Sequence, residues 1–137
     1  MFKIMKRMIY FIPWVLYSLI IIYLSHQERV EFIDTSFVMG DKIFHFLGYF
    51  FYGLTIQFAL INSTNYKGSK FFITVIIVGS IFGASDEFHQ YFITGRTSEL
   101  LDWLADTLGV ASSLLLKNII LWLKNRINIV FNNKKAK

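Results

Sequence analysis

The sequence contains no cysteine and few charged residues for its length. The absence of cysteine excludes disulfide bonds, thiolate nucleophiles and thiolate metal sites together. Only 17% of the 137 residues are Asp, Glu, Lys or Arg, whereas 55% are hydrophobic and 18% are aromatic. This balance is typical of a membrane protein, and it leaves the redox environment of the chain open.

Four apolar runs approach the roughly 20 residues that a helix needs to cross a hydrocarbon core about 30 Å thick. We predict transmembrane helices over Met8–Leu24, Ile43–Ile61, Phe71–Gln90 and Leu101–Leu123. Little chain remains outside these runs, so a separate soluble catalytic domain has no room beside them. The predicted fold is an all-α membrane protein, with residues 1–137 forming a single domain built as a four-transmembrane-helix bundle.

The first apolar run follows basic residues, as the hydrophobic part of a signal peptide does. The run is about 17 residues long, which is long for a signal peptide. The segment that follows it, Ser25-His26-Gln27-Glu28, lacks small residues at the usual cleavage spacing. We therefore predict that this run is a retained transmembrane helix.

Basic residues are distributed unevenly between the two ends of the predicted helices. Eleven of the 14 Lys and Arg residues lie before the first run, between the second and third, or in the C-terminal part of the chain. Loops rich in Lys and Arg stay in the cytoplasm, so we expect both termini to be cytoplasmic. All nine acidic residues then belong to the opposite side. The basic tail is expected to lie on the anionic inner leaflet of the bilayer, and no nucleic-acid partner is predicted.

Several acidic residues fall inside the predicted helices instead of in loops. The uninterrupted apolar stretch of the third run, Phe71–Ala84, would span only about 21 Å as a helix, so the helix must continue through Asp86 and Glu87. In the fourth helix Asp106 lies a full turn beyond Asp102, too deep for a capping role. A charge at mid-bilayer costs about 2.5–3.5 kcal/mol, so such groups usually face the bundle interior and indicate function.

Helical spacing places the polar residues on shared faces, because residues three or four positions apart lie on one side of a helix. Three pairs with this spacing lie near the expected outer ends of the helices: Asp41 with His45, Asp86 with Gln90, and Asp102 with Asp106. We therefore predict that these residues, together with Lys42, Glu87 and Arg96, form one outward-facing polar pocket.

Simpler structural roles are open for some of these residues. Asp41 is equally well explained as the N-cap of the second helix, and Ser98 is expected to cap the fourth. Glu99 suits the positive end of that helix dipole. Arg96 could either clamp neighbouring groups structurally or grip an anionic headgroup.

Two features of the apolar runs indicate helix packing. Gly79 and Gly83, four positions apart, allow a neighbouring helix to approach closely, which would bring the acidic end of the third helix near another span. Gln57, deep in the second run, is expected to make an interhelical hydrogen bond.

The predicted pocket holds more carboxyl groups than cations. The excess could be relieved by protonation of a carboxyl group, by protonation of His45 or by a bound cation, and the sequence leaves this choice open. A divalent metal could draw on His45, Asp86, Glu87 and Asp102. No compact ligand motif such as H-E-x-x-H is present, so no metal ligand and no cofactor are assigned. No serine lies in a recognisable nucleophile elbow.

The ordered polar residues resemble the pattern of the VanZ-like family. The matching segments are Asp41-Lys42-x-x-His45-x-x-x-Tyr49, Asp86-Glu87-x-x-Gln90 followed by Arg96, and Asp102-x-x-x-Asp106-x-x-Gly109. The resemblance implies a small multi-span protein of the bacterial cell membrane, and the family's founding members are associated with resistance to glycopeptide antibiotics, teicoplanin in particular. Asp106 stands where the family pattern favours Asn, which implies a hydrogen-bonding role for this position more than that of an ionised base.

We expect the pocket to bind or modify a cell-envelope component, such as a lipid-linked or cell-wall precursor, and so to affect glycopeptide susceptibility. The candidate acid–base residues are Glu87, His45, Asp86 and Asp102. The candidate ligand-binding residues are Lys42, Arg96, Asp41, Gln90 and Asp106. Two alternatives stay open: a non-enzymatic membrane module whose charged cluster is structural or docks a partner, and a proton- or cation-coupled carrier. The carrier is the weaker alternative because the sequence shows no internal repeat or broken helix.

Overall fold

The computed structural model describes residues 7–27, 40–122 and 124–126, and the regular structure within these ranges is entirely helical. The four main helices are α1 (Ile12–His26), α2 (Gly40–Ser63), α3 (Gly68–Gln90) and α4 (Leu100–Ser113). A 3-10 turn at Ile9–Phe11 precedes α1, and another at Leu114–Leu116 follows α4.

Four helical stretches are long and apolar enough to cross a membrane: Ile9–His26, Gly40–Ser63, Gly68–Gln90 and Leu100–Arg126. The four predicted spans are therefore confirmed, and each predicted boundary lies within three residues of the observed one. The acidic residues Glu28, Glu31 and Asp34 lie outside the described ranges. The same is true of five of the basic residues expected near the two termini: Lys3, Lys6, Lys134, Lys135 and Lys137.

The bundle exposes apolar side chains and buries polar ones. Large apolar residues line the outer faces, among them Leu16, Leu19, Ile20, Ile73, Ile77, Ile81, Leu104 and Leu108. The buried polar or charged residues are Ser25, Gln57, Asp86, Glu87, Gln90, Asp102, Asp106 and Ser113. This arrangement suits a bilayer, because lipid chains can cover the apolar surface whereas polar groups in hydrocarbon need partners inside the protein.

Small residues on α3 allow α4 to pack closely against it. A Cβ atom added to Gly79 would lie 2.6 Å from both methyl groups of Val110, and one added to Gly83 would lie 3.0 Å from Asp106 Oδ2. The predicted close approach at these two glycines is confirmed. It places the acidic end of α3 beside the first turns of α4.

The opposite side of α4 packs against α2 just as closely. A Cβ atom on Gly109 would overlap the backbone carbonyl of Phe46, so the two helix backbones touch at this point. Farther along the same interface, Gln57 Nε2 donates a hydrogen bond of 2.9 Å to Ser113 Oγ. This bond confirms the interhelical role predicted for Gln57.

Helix α1 lies at the edge of the bundle, because only 6% of its membrane-spanning stretch is buried. Three polar contacts join it to α2. The Trp14 indole and the Ser18 hydroxyl donate to the Tyr52 hydroxyl at 2.9 and 3.4 Å, and the Tyr17 hydroxyl donates to the Gly48 carbonyl at 3.2 Å. α1 is thus attached to a bundle formed mainly by the other three helices.

The N-cap predicted at Ser98 is wrong, and so is the N-cap role that the sequence left open for Asp41. Helix α2 begins at Gly40, so Asp41 lies in its first turn and not at the N-cap. Helix α4 has Glu99, not Ser98, as its N-cap, and the Glu99 side chain makes no capping hydrogen bond. The Glu99 backbone N–H instead donates to the Glu87 carboxylate of α3 at 3.1 Å. A tertiary contact therefore takes part in fixing where α4 begins.

We expect Gly109→Ala to destabilise the protein, because the added Cβ would push α4 away from the Phe46 carbonyl. Overpacking of this kind costs on the order of 2 kcal/mol in the free energy of unfolding. Gly48→Ala is the matched control: a Cβ there meets no atom within 4 Å, and Ala favours a helix over Gly by about 0.5–1 kcal/mol. Thermal unfolding in detergent measures both variants, and equal melting temperatures would contradict the packing described here.

Candidate functional site

The polar residues of α2, α3 and α4 meet at one end of the bundle. This is the end where α2 and α4 begin and where α3 finishes. His45 lies in the second turn of α2, Glu87 in the last turn of α3 and Asp106 in the second turn of α4. The antiparallel order of successive helices brings these three positions together, although 61 residues separate His45 from Asp106 in the sequence.

His45 is the centre of the deeper part of the site. Its Nδ1 atom lies 2.9 Å from Asp106 Oδ1 and 3.8 Å from Glu87 Oε1. Asp106 is completely buried and Glu87 is 6% exposed. In the tautomer with its proton on Nδ1, the ring donates this hydrogen bond to Asp106, and the contact fixes the orientation of the ring. The structure thus places the side chains of His45, Glu87 and Asp106 next to one another, as predicted.

Lys42 forms the outer part of the site. Its Nζ donates to Glu99 Oε2 at 2.9 Å and to Asp102 Oδ1 at 3.0 Å. Asp102 is 1% exposed, whereas the Glu99 side chain is about half exposed at the rim. Lys42, predicted to contact a ligand, has two carboxylate partners within the protein.

Glu99 belongs to the site although the sequence indicated only a helix-terminal role for it. It links both parts, because its side chain accepts from Lys42 and its backbone N–H donates to Glu87 Oε2. One signal could have identified it: Glu99 lies three positions before Asp102, and residues with this spacing share a helix face.

Asp86 and Gln90 form a smaller buried pair on α3. Gln90 Nε2 donates to Asp86 Oδ2 at 3.2 Å, as their spacing of four residues predicts. Asp41 is half-buried at the start of α2, where a carboxylate oxygen of Asp41, a ring nitrogen of His45 and a carboxylate oxygen of Asp102 lie within 4.8 Å of one another.

Arg96 contacts the end of α1. Its Nε donates to the Gln27 carbonyl at 3.0 Å and its Nη2 donates to the Leu24 carbonyl at 2.8 Å. Both carbonyls lie at the C-terminal end of α1, where the helix dipole favours a positive charge, and the Leu24 carbonyl also accepts from the Gln27 backbone N–H at 3.2 Å. The preceding turn uses Gly95 at a φ of 81°, a backbone conformation that suits glycine. Among the described residues, Arg96 therefore acts as a clamp on α1.

Three carboxylate oxygens in the site have no hydrogen-bond donor among the described residues: Glu87 Oε1, Asp102 Oδ2 and Asp106 Oδ2. Each belongs to a side chain that is at least nine-tenths buried. Taking an ion out of water still costs several kcal/mol after relaxation of the protein. These oxygens therefore require a proton, a cation or a polar ligand.

A shallow, open groove lies between the end of α3 and the start of α4 and is bordered by Glu87 and Glu99 of the site. Its lining residues are Ala84, Glu87, Phe88, Ser98, Glu99, Leu100 and Trp103. The Trp103 indole donates to the Ser80 carbonyl at 3.1 Å, which fixes one wall of the groove. Glu87 borders both this groove and His45.

The geometry suits proton transfer at a ligand that reaches Glu87. A carboxylate that orients a histidine, with a second carboxylate close to the same ring, is an arrangement from which general acid–base catalysis can operate. The structure brings all four candidate acid–base residues to one end of the bundle. Their catalytic roles stay a prediction.

We expect Lys42→Met to destabilise the protein, because it leaves the buried carboxylate of Asp102 without its cation. Removing one partner of a buried ion pair typically costs about 3–5 kcal/mol, and the partial exposure of Lys42 favours the lower end. Lys67→Met, at an exposed lysine between α2 and α3, is the control.

The double variant Lys42→Met/Asp102→Asn should regain much of the lost stability, since no unpaired charge remains at this position. Melting temperatures in detergent compare the three proteins. Equal melting of the Lys42→Met and Lys67→Met variants would show that this ion pair contributes nothing to stability.

The sequence is similar to a known protein family over most of its length. The VanZ/LLP1 family profile matches residues 2–121. An uncharacterized protein from Schizosaccharomyces pombe is 34% identical over 89 residues, which are 65% of this chain and 52% of the relative. The chain thus spans about half the length of that relative. No solved structure matches the chain. The match over residues 2–121, on a bundle of four helices able to cross a membrane, shows that the chain belongs to the VanZ/LLP1 family.

Proposed function

We propose that the protein binds or modifies the headgroup of a lipid or lipid-linked component of the cell envelope, and so affects susceptibility to glycopeptides such as teicoplanin. The observation that carries the proposal is the position of Glu87. Its carboxylate lies beside the buried His45 and also borders the groove between α3 and α4. A ligand in the bilayer would therefore reach the acid–base residues sideways, without leaving the membrane.

The lining of the groove supports a ligand with an apolar part and a polar head. Phe88 and Leu100 are 68% and 70% exposed, so they offer an apolar surface along which a lipid chain could lie. The polar lining residues are Glu87, Ser98 and Glu99. A lipid headgroup placed against these side chains would lie next to the buried cluster.

Each residue of the cluster would have a separate role. Asp106 holds the His45 ring in place through the 2.9 Å contact at Nδ1. Glu87 then exchanges a proton with the headgroup, since it is the carboxylate shared with the groove. Asp86 and Gln90 support the last turn of α3, through their mutual hydrogen bond.

Lys42 would provide the contact to an anionic headgroup. Of its two carboxylate partners, Glu99 is about half exposed and Asp102 is buried. An anionic group arriving through the groove can displace the exposed Glu99 side chain while Asp102 keeps the ammonium group in position. Arg96 would contribute through the guanidinium N–H groups that the α1 carbonyls do not use.

A non-enzymatic membrane module is the second candidate. It is favoured by the internal use of both cations: Lys42 binds two carboxylates of the protein, and Arg96 binds two carbonyls at the end of α1. In that case the charged cluster would fix the arrangement of the helices or dock a partner. The following variant separates the two candidates.

Glu87→Gln is expected to abolish any resistance phenotype while the variant remains in the membrane at normal abundance. Gln keeps the shape and can still accept the Glu99 N–H bond, but it cannot exchange the proton. Resistance is measured as the inhibitory concentration of teicoplanin in cells with and without the protein. Membrane abundance and the melting temperature in detergent are measured for the same variant.

Ser85→Ala is the control, because Ser85 is exposed and its hydroxyl bonds only to the Ile81 carbonyl of its own helix. It should leave phenotype and abundance unchanged. Full resistance in the Glu87→Gln variant would reject the proposed role of this carboxylate. Loss of abundance or stability without any separate loss of resistance per molecule would favour the non-enzymatic module.

The proposed orientation places the site on the outer side of the membrane, with both termini in the cytoplasm. The natural sequence has no cysteine, so an introduced thiol is unique. We expect Thr97→Cys, between α3 and α4, to react with a membrane-impermeant maleimide in intact cells. Asn65→Cys, between α2 and α3, should react only after permeabilisation. Labelling with the opposite pattern would invert the assigned topology.

A further inference from the structure

We propose that His45, Glu87 and Asp106 bind a divalent metal ion between α2, α3 and α4. Each residue offers one ligand atom, and the three atoms lie within 4.8 Å of one another. The ligands come from three different helices, so an ion here would join the three inner helices of the bundle at one point.

The distances around His45 fit a shared ion. Two ligand atoms that both bind a metal at about 2.1 Å can be at most about 4.2 Å apart. His45 Nδ1 lies 2.9 Å from Asp106 Oδ1 and 3.8 Å from Glu87 Oε1, so both pairs satisfy this limit. With Nδ1 bound to the metal, the ring proton is on Nε2.

The unpaired oxygens provide an independent argument for an ion. Glu87 Oε1 lies 3.8 Å from His45 Nδ1 and has no hydrogen-bond donor among the described residues. The second oxygen of Asp106, Oδ2, likewise has no hydrogen-bond donor among them. A single protonated imidazole balances one of these two carboxylates. A divalent cation balances both and takes the free Glu87 oxygen as a ligand, since buried charges are either paired or bind metals.

A second set of possible ligands is weaker. Asp41, His45 and Asp102 also offer atoms within 4.8 Å of one another. Asp102 Oδ1, however, already accepts a 3.0 Å hydrogen bond from Lys42, whose positive charge repels a metal ion. No lysine or arginine lies within ion-pair distance of Glu87 or Asp106 among the described residues. The set containing Glu87 and Asp106 is therefore the one assigned.

The ligand types select the class of metal. Mg²⁺ and Ca²⁺ are bound mainly through oxygen atoms, whereas an imidazole nitrogen beside two carboxylates suits Mn²⁺ or Zn²⁺. Three protein ligands leave at least one coordination position for water or a ligand oxygen. Because Glu87 also borders the groove, that position would be available to a phosphate oxygen of an anionic headgroup. This last step rests on the function proposed above, whereas metal binding itself does not.

Mn²⁺ tests the site without any lipid ligand. The full chain is purified in detergent, freed of metal with a chelator and titrated with Mn²⁺, while free Mn²⁺ is followed by electron paramagnetic resonance. We expect saturable binding of one ion per chain. Pulsed measurements on the bound ion should detect one directly coordinated nitrogen from His45. Absence of saturable binding, or of this nitrogen coupling, in the natural sequence overturns the proposal.

Two variants locate the ion. Glu87→Gln should weaken Mn²⁺ binding at least about tenfold, whereas Asp41→Asn should weaken it less, because it removes a nearby charge but no ligand of the assigned site. Equal weakening by both variants, or stronger weakening by Asp41→Asn, overturns the assignment. Metal-free melting temperatures confirm that each variant is folded, and the nitrogen coupling in the natural sequence tests the site even if one variant does not fold.

The same titration separates this proposal from the proposed function. Metal binding with an unchanged teicoplanin phenotype in Glu87→Gln supports the metal site and rejects the function. Loss of the phenotype in Glu87→Gln without metal binding by the natural sequence rejects the metal site and keeps the function.

Discussion

The contact between the α2 and α4 backbones at Phe46 and Gly109 is the one on which the site depends. His45 directly precedes Phe46, and Asp106 lies one turn before Gly109, so a single close contact fixes the separation of both side chains. The aspartate side chain is short and reaches the imidazole at 2.9 Å only because the helix backbones touch. A larger residue at Gly109 would separate the pair that orients the histidine.

The sequence predicts the four helices well because their length and composition follow from the thickness of the bilayer. It also predicts that Asp86 and Glu87 lie within a helix, because the apolar run before them is too short to cross the bilayer. Asp106 is predicted to lie within a helix because it is a full turn beyond Asp102. Partners in space are harder to predict, because they depend on how each helix is rotated against its neighbours. The link from Lys42 to Glu99 depends on this rotation, and so does the start of α4, where the Glu87 carboxylate replaces the expected serine cap.

The sequence resemblance implies a family pattern that allows or favours Asn where this chain has Asp106. An Asn at this position would retain an oxygen that accepts a hydrogen bond from His45, and it would carry no charge. The aspartate adds a negative charge at a completely buried position, beside a second buried carboxylate on Glu87. This difference makes the electrostatic balance of the site a property of this chain, and it gives a physical reason for a positively charged occupant.

The two hydrogen bonds from Arg96 to the end of α1 have a consequence for assembly in the membrane. Of the four helices α1 is synthesised first, yet the carbonyls of Leu24 and Gln27 gain these donors only after α3 and the turn beyond it have been made. The hydrogen bonds that Trp14 and Tyr17 of α1 donate to Tyr52 and Gly48 likewise wait for α2. Of the four helices, the one synthesised first thus receives these contacts only after later parts of the bundle exist, and Arg96 lies 69 positions beyond Gln27.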